Sequence, residues 1–448
     1  MADTPAADAE AATPGATGAV GRLTAAQGTA LYVGAVLGTG VIALPALAAA
    51  VAGPASLLAW LGLAILSAPL AATFAALGSR YPDAGGVATF ARLAFGDRAA
   101  AVVGWWFYCS IPLGAPAAAL WAGAYVSAAT GGGTTTTAVA AAALTAAVTC
   151  ANAFGVHVTG RVQLALAGLL TVFLVTAVAL SLPSAKVANL RPFAPHGWLA
   201  VGHAATLLVW CFVGWEAVTH LTAEFRRPAR DVPRATAAAV GVVGVMYLAV
   251  AFAVVAVLGP AADTGPAPLG DLLVAGLGGD ARYPAAVAAV LLTLGTMNVY
   301  YASAAKLGAA LGRDGALPAW FAAGSGTGEA PRRSLGVISA LSAAALAAAV
   351  AGGVGAKPLV LLTTGLFVAV YAVGVAAAVR LLPRRSAARA VALVAFAAVA
   401  VLLAVSGGYL VSPLLVGAGA LLYVRLRRRA NRAGRDGKVA PARTRAGA

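Results

Sequence analysis

The sequence predicts an all-α membrane protein of twelve transmembrane helices, on three observations. Of its 448 residues 61% are hydrophobic and only 10% charged, with a mean hydropathy of +0.90, whereas about a quarter of a soluble domain is charged. Apolar segments recur at 25–50, 55–78, 100–129, 135–155, 160–182, 200–223, 233–259, 283–308, 334–352, 358–380, 388–405 and 408–424, and most reach the length a helix needs to cross hydrocarbon. With both termini inside, 26 of the 30 Lys and Arg fall on the cytoplasmic side, and the other side keeps Lys186, Arg191, Arg282 and Lys357 beside Asp263, Asp271 and Asp280. The formal charge of +16 is therefore a topology signal of a multi-pass protein in the cytoplasmic membrane, whose partner is the bilayer and not nucleic acid.

Residues 1–24 are Ala-rich and mildly acidic without a cleaved-signal pattern, and they are expected as a disordered cytoplasmic leader. The first span is interrupted at Gly34–Pro45, where Gly34, Gly38, Thr39 and Gly40 fall inside apolar sequence. Two readings stay open at this stretch. Gly38-Thr39-Gly40 unwinds the helix and presents N–H groups to an anion, or Gly34 and Gly38 form a small-xxx-small packing face.

After the second span, Val87–Gly96 reads as an amphipathic piece along the inner membrane surface. The third span carries Trp105, Trp106 and Ser110, then Pro112, Gly114 and Pro116. The prolines cost helical hydrogen bonds and predict a kink, and the tryptophans suit an interface better than a pocket wall. Residues 130–137, Thr-Gly-Gly-Gly-Thr-Thr-Thr-Thr, read as a flexible outer turn. His157 has no partner pattern.

The sixth span contains Trp210-Cys211-Phe212-Val213-Gly214-Trp215-Glu216, and Glu216 is the one carboxylate placed deep in the membrane. An acid there is costly and functional by default, either carrying a proton or holding unwound backbone together. Glu216, His220 and Glu224 share a helical face, but Glu224 falls at the cytoplasmic end and no metal site is predicted. The loop Arg226–Arg234 follows, with Pro233 suited to the first turn of the seventh span.

The eighth span offers Thr293, Thr296, Met297, Asn298, Tyr300, Tyr301 and Ser303, and the tenth Thr363, Thr364, Gly365 and Tyr371. These groups suit either interhelical hydrogen bonds or contacts to an ion or substrate. The segments at 388–424 read as lipid-facing scaffold, and 425–448 as a basic cytoplasmic tail. Cys109, Cys150 and Cys211 all fall in spans, without a disulfide or zinc pattern.

Setting the break at Gly38 on that at Gly214 gives an offset of 176 residues. The spans then group as a five-helix repeat at 25–182, a second at 200–380, and helices 11 and 12 at 388–424. Five is odd, so the second repeat enters the membrane inverted, with helices 1 and 6 broken. This is the plan of a secondary transporter whose site lies where the breaks face each other. A membrane enzyme needs a nucleophile with its base or a metal cluster; neither is legible, and no enzymatic activity is expected.

The Gly-x-x-x-Gly-Thr-Gly-Val run at Gly34–Val41, the segment Tyr81–Gly96 with Gly-Gly-Val-Ala-x-Phe, and Phe-Val-Gly-x-Glu at 212–216 resemble the amino acid–polyamine–organocation superfamily. Agreement in Leu37–Val41, Pro45–Ala48, Tyr81–Ala88 and Trp210–Gly214 is similar to bacterial exporters of neutral amino acids, the methionine and branched-chain type. The resemblance implies an α-amino acid whose carboxylate meets the N–H groups of Gly38, Thr39 and Gly40, flanked by Val41. Its ammonium meets carbonyls near Val36 and Trp210 to Val213, with Phe212, Gly214 and Trp215 in the same set.

Glu216 is expected in gating or proton coupling, and Ser110, Thr296 and Asn298 as further ion or substrate contacts. Some members use a lysine on the fifth span in place of sodium; residues 160–182 hold none. The coupling ion is expected to be H+, with no cofactor. The expected activity is efflux of neutral amino acids by alternating access. The alternative is an importer or exchanger, including one for cationic amino acids or amines.

Overall fold

A computed structural model describes residues 23–81, 86–155, 160–216, 225–263, 265, 267–323 and 331–436. The leader before residue 23, Pro82–Gly85, His157, His220, Glu224 and the tail beyond residue 436 lie outside the described residues.

Among the described residues, fifteen α-helices follow in chain order. They are α1 (Ala25–Val36), α2 (Leu44–Ala52), α3 (Ser56–Arg80), α4 (Val87–Phe95), α5 (Asp97–Thr130), α6 (Thr134–Ala153), α7 (Gly160–Ser181) and α8 (Leu199–Leu208). The rest are α9 (Pro228–Ala253), α10 (Pro268–Leu277), α11 (Arg282–Arg313), α12 (Arg332–Ala351), α13 (Lys357–Leu381), α14 (Ala387–Ser406) and α15 (Val411–Asp436). Nine helical stretches among the described residues are long and apolar enough to cross a membrane. No strand occurs among the described residues beyond one isolated bridge between Leu23 and Phe225.

The molecule is built around α5 and α13, the most buried of these stretches. Thirty-four residues of α5 extend about 51 Å at the helical rise. It packs along α6, α11 and α13, while α1 lies against α9 and α7, and α3 against α9 and α14. Ala, Gly and Ser on the contact faces let the backbones approach: a Cβ at Gly123 of α5 would lie 2.4 Å from the Thr137 carbonyl oxygen. The stretch formed by α14 and α15 is little buried.

Two expectations need correction. Thr134–Thr137 form the first turn of α6 and not a flexible loop; Thr137 bonds back to the Gly133 carbonyl, and only Gly131 to Gly133 link α5 to α6. The seventh span begins at Pro228 and not near Pro233. Pro228 suits the opening position and Asp231 the first turn of a helix whose charged end leaves the hydrocarbon. Trp105 and Trp106 act as fasteners, donating to the carbonyls of Ala316 at 2.7 Å and Pro413 at 2.8 Å.

Helix α4 has the expected amphipathic pattern, and its apolar face is covered by protein. Phe90 is buried among Leu77, Ala377, Leu382 and Ala392. Its polar side reaches the residue that follows α11 through the ion pair Arg92–Asp314 at 2.9 Å.

Candidate functional site

The first break is a local consequence of Gly38. The last turn of α1 closes with the Leu37 N–H on the Val33 carbonyl at 2.8 Å. Gly38, at φ −34° and ψ −156°, then takes the chain out of the helix. Thr39–Ile42 make a single 3-10 turn, and α2 restarts at Leu44 with Pro45 in its opening turn.

The glycines of the break differ in role. A Cβ on Gly38 would meet nothing nearer than 3.7 Å, whereas one on Gly40 would lie 2.7 Å from Trp210 Cδ1 and 2.8 Å from Cys211 Sγ. A Cβ on Gly38 would make only ordinary contacts with Ala35 and Thr296; Gly40 allows close packing.

The second break ends α8. The helix tightens into a 3-10 turn at Val209–Phe212, and Val213 is extended at φ −79° and ψ 140°. Gly214 follows at φ 122°, a region side chains avoid. A Cβ on Gly214 would lie 3.2 Å from the Ala35 carbonyl oxygen and 3.2 Å from Val36 Cγ2, so the two breaks lie directly on one another. Helices α1 and α8 both bring carbonyl ends to this crossing, while α2 starts from it. Their dipoles set acceptors suited to a cation beside donors suited to an anion.

Three buried tyrosines hold the crossing. The Tyr247 hydroxyl, on α9, has two acceptors, the carbonyl of Val36 in the first break and that of Cys211 in the second, the latter at 2.7 Å. Tyr371, on α13, donates to Glu216 Oε2 at 2.6 Å. The same carboxylate oxygen accepts the Gly214 N–H at 3.1 Å. Tyr125, on α5, donates to the Ile42 carbonyl at 2.7 Å. Backbone groups freed by unwinding are thus answered by side chains, as an apolar interior demands.

A cavity opens between the breaks. Of the expected residues, Val36, Gly38, Thr39, Gly40, Trp210, Val213, Ser110 and Thr296 line it. The remainder of its wall includes Ile111, Gly114, Ala115, Ala118, Met297, Tyr300, Thr363 and Phe367. Its lining is apolar with a few hydroxyls, and Ser110 and Thr363 donate theirs to the carbonyls of Phe107 and Leu359 on their own helices. None of the lining residues is charged. Such a wall suits a ligand whose own charges are met by backbone dipoles and whose side chain is neutral.

Val41, Phe212, Gly214, Trp215, Glu216 and Asn298 do not line the cavity. Val41 is fully buried. Phe212 packs against Trp60 and Tyr247, with ring centroids 6.1 and 5.2 Å away, and Trp215 against Tyr32 at 5.9 Å. Glu216, 3% exposed, turns back onto Gly214 and Tyr371. Asn298 lies two positions beyond Thr296 on α11, where helical geometry carries it to another face.

Sequence reading missed Tyr125, Tyr247, Gly114 and Phe367. Gly114 was legible only as part of the proline-rich kink, and the other three carried no local pattern. Gly114 seats the Trp210 indole: a Cβ there would lie 2.9 Å from Trp210 Cη2 and 3.3 Å from Thr363 Cγ2.

The profile of the amino acid permease family matches residues 23–439. An uncharacterized amino acid permease of Bacillus subtilis, YecA, is 34% identical over 399 residues, 89% of this chain and 94% of its own. The L-methionine/branched-chain amino acid exporter YjeH of Escherichia coli is 42% identical over 224 residues, 50% of this chain and 53% of its own. A probable GABA permease of Pseudomonas aeruginosa is 30% identical over 51% of each chain.

Proposed function

This chain belongs to the amino acid permease family, and we propose that it exports neutral α-amino acids, methionine and the branched-chain residues, across the cytoplasmic membrane by alternating access. The observation that carries this reading is the close approach at Gly214, where an added Cβ would lie 3.2 Å from both Ala35 and Val36, with two interrupted helices meeting beside an uncharged cavity. The similarity to the YjeH exporter over half the chain supports the substrate class and the direction.

In this reading the substrate carboxylate meets the N–H groups of Gly38 to Gly40, and its ammonium meets the carbonyl ends of α1 and α8. The side chain lies against Ile111, Ala115 and Phe367. Five spans, α1 with α2, α3, α5, α6 and α7, and five more, α8, α9, α11, α12 and α13, form inverted repeats, with α1 and α2 as the halves of one broken span. Helices α14 and α15 complete twelve spans. The distribution of 26 of 30 basic residues supports cytoplasmic termini.

The coupling ion is the proton, with Glu216 as its carrier. As a carboxylate Glu216 accepts from Gly214 and Tyr371. Once protonated it accepts more weakly, and the Tyr371 hydroxyl turns to the Phe212 carbonyl, already 3.3 Å away. Protonation thereby loosens the second break.

Cells overproducing the protein and loaded with a methionine or leucine dipeptide should hold less free internal methionine or leucine than control cells. Equal internal levels across neutral amino acids would overturn export.

A further inference from the structure

The hydroxyl of Tyr125 joins two parts of the molecule, the first break and the short helix α10. It accepts the Leu269 N–H at 3.0 Å, in the opening turn of the short helix α10. It donates its own proton to the Ile42 carbonyl at 2.7 Å, at the end of the 3-10 turn of the first break. Tyr125 is 1% exposed and Leu269 fully buried, so no water competes for either bond. The chain Leu269 N–H to Tyr125 O–H to Ile42 O=C runs in one direction, each bond polarising the next.

Helix α10 is too short to cross a membrane. Its far end is fastened separately. A Cβ on Gly276 would lie 2.5 Å from the Leu180 carbonyl oxygen, and Ser184 Oγ donates to the Ala275 carbonyl at 3.3 Å. One end of α10 therefore rests on the end of α7 and the other on a hydroxyl bonded to the break.

We infer that Tyr125 is a positioning residue that makes α10 and the first break move as one unit, so that lifting the short helix withdraws support from the Ile42 carbonyl and reshapes the turn holding Gly38 to Gly40. The tie itself does not depend on which solute is carried; regarding it as a step of transport rests on the function proposed above.

The test is hydrogen exchange on the full chain in lipid nanodiscs, without substrate, read on segments 39–47 and 268–277. Gly276→Ala forces the far end of α10 away from Leu180. In an otherwise unchanged chain it should raise exchange in 39–47 about fivefold, the size of one lost hydrogen bond. In a Tyr125→Phe background, adding Gly276→Ala should change 39–47 by less than about twofold, as in a double-mutant cycle that isolates the coupling. Were Gly276→Ala to impair folding, Ser184→Ala makes the milder lesion at the same end, with the same expected pattern.

A lesion at α10 that leaves 39–47 unchanged would overturn the inference. So would one whose full effect persists without the Tyr125 hydroxyl. Because no substrate is present, either result leaves the proposed transport activity to be judged by its own assay.

Discussion

Tyr371 donates its hydroxyl to Glu216 Oε2 at 2.6 Å from a position 155 residues further along the chain. The acid that interrupts the apolar sequence of the sixth span is thus a fastener of the second break before it is anything else. Tyr371→Phe should leave a buried carboxylate short of one donor and cost about 2 kcal/mol of stability, measured by denaturation in detergent.

Glu216→Gln separates the hydrogen-bonding role of Glu216 from the proton coupling proposed for it. An amide oxygen accepts the same two hydrogen bonds, so the variant should fold, bind and transport, but its flux should no longer change with pH. A retained pH dependence would leave Glu216 architectural and move the coupling elsewhere.

Gly38 and Gly40 make opposite predictions despite their adjacency in the motif. Gly38→Leu places a side chain beside the cavity where a Cβ would make only ordinary contacts, none nearer than 3.7 Å; it should fold normally and abolish substrate binding. Gly40→Ala drives a methyl group into Trp210 and Cys211, and should cost about 1–3 kcal/mol through overpacking. Thermal stability and binding, measured on both variants, distinguish a glycine that leaves room for ligand from one that leaves room for a neighbour.

Tyr247 shares its one hydroxyl proton between a carbonyl of each break. Tyr247→Phe frees both acceptors from their common anchor and should weaken apparent substrate affinity about tenfold, on the order of one hydrogen bond. Initial rates over a range of leucine concentrations give the value.

The break at Gly34–Pro45 was legible because glycine and threonine inside hydrocarbon-length sequence have no cheap alternative to a turn or a close contact. The chain leaves the helix at Gly38 beside the cavity, and the close contact falls at Gly40. Glu216 was legible for the same reason, an intramembrane charge being conspicuous in any sequence.

Tyr125 and Tyr247 were not. Each is a single tyrosine in an apolar helix, and its partners are main-chain carbonyls far away in the chain, which leave no trace in residue type. Asn298 misled because polar residues clustered on α11 read alike, while helical rotation sends Thr296 and Tyr300 to the cavity and Asn298 away from it. Gly114 was obscured by Pro112 and Pro116, whose stronger signal accounted for the whole segment.

Gly114 carries the last variant. Gly114→Ala should push the Trp210 indole into the cavity, since the added Cβ would lie 2.9 Å from Cη2. Leucine and methionine transport should fall more than alanine transport, read from competition among the three.

Counterflow by the purified protein in liposomes addresses the central claim, that the space between the two breaks carries neutral amino acids. Vesicles loaded with unlabelled leucine should accumulate external labelled leucine through the wild-type protein, and methionine but not lysine should compete. Gly38→Leu, folded to the same extent, should accumulate none. Equal counterflow by Gly38→Leu, or wild-type counterflow blocked by lysine and not by methionine, would contradict the account.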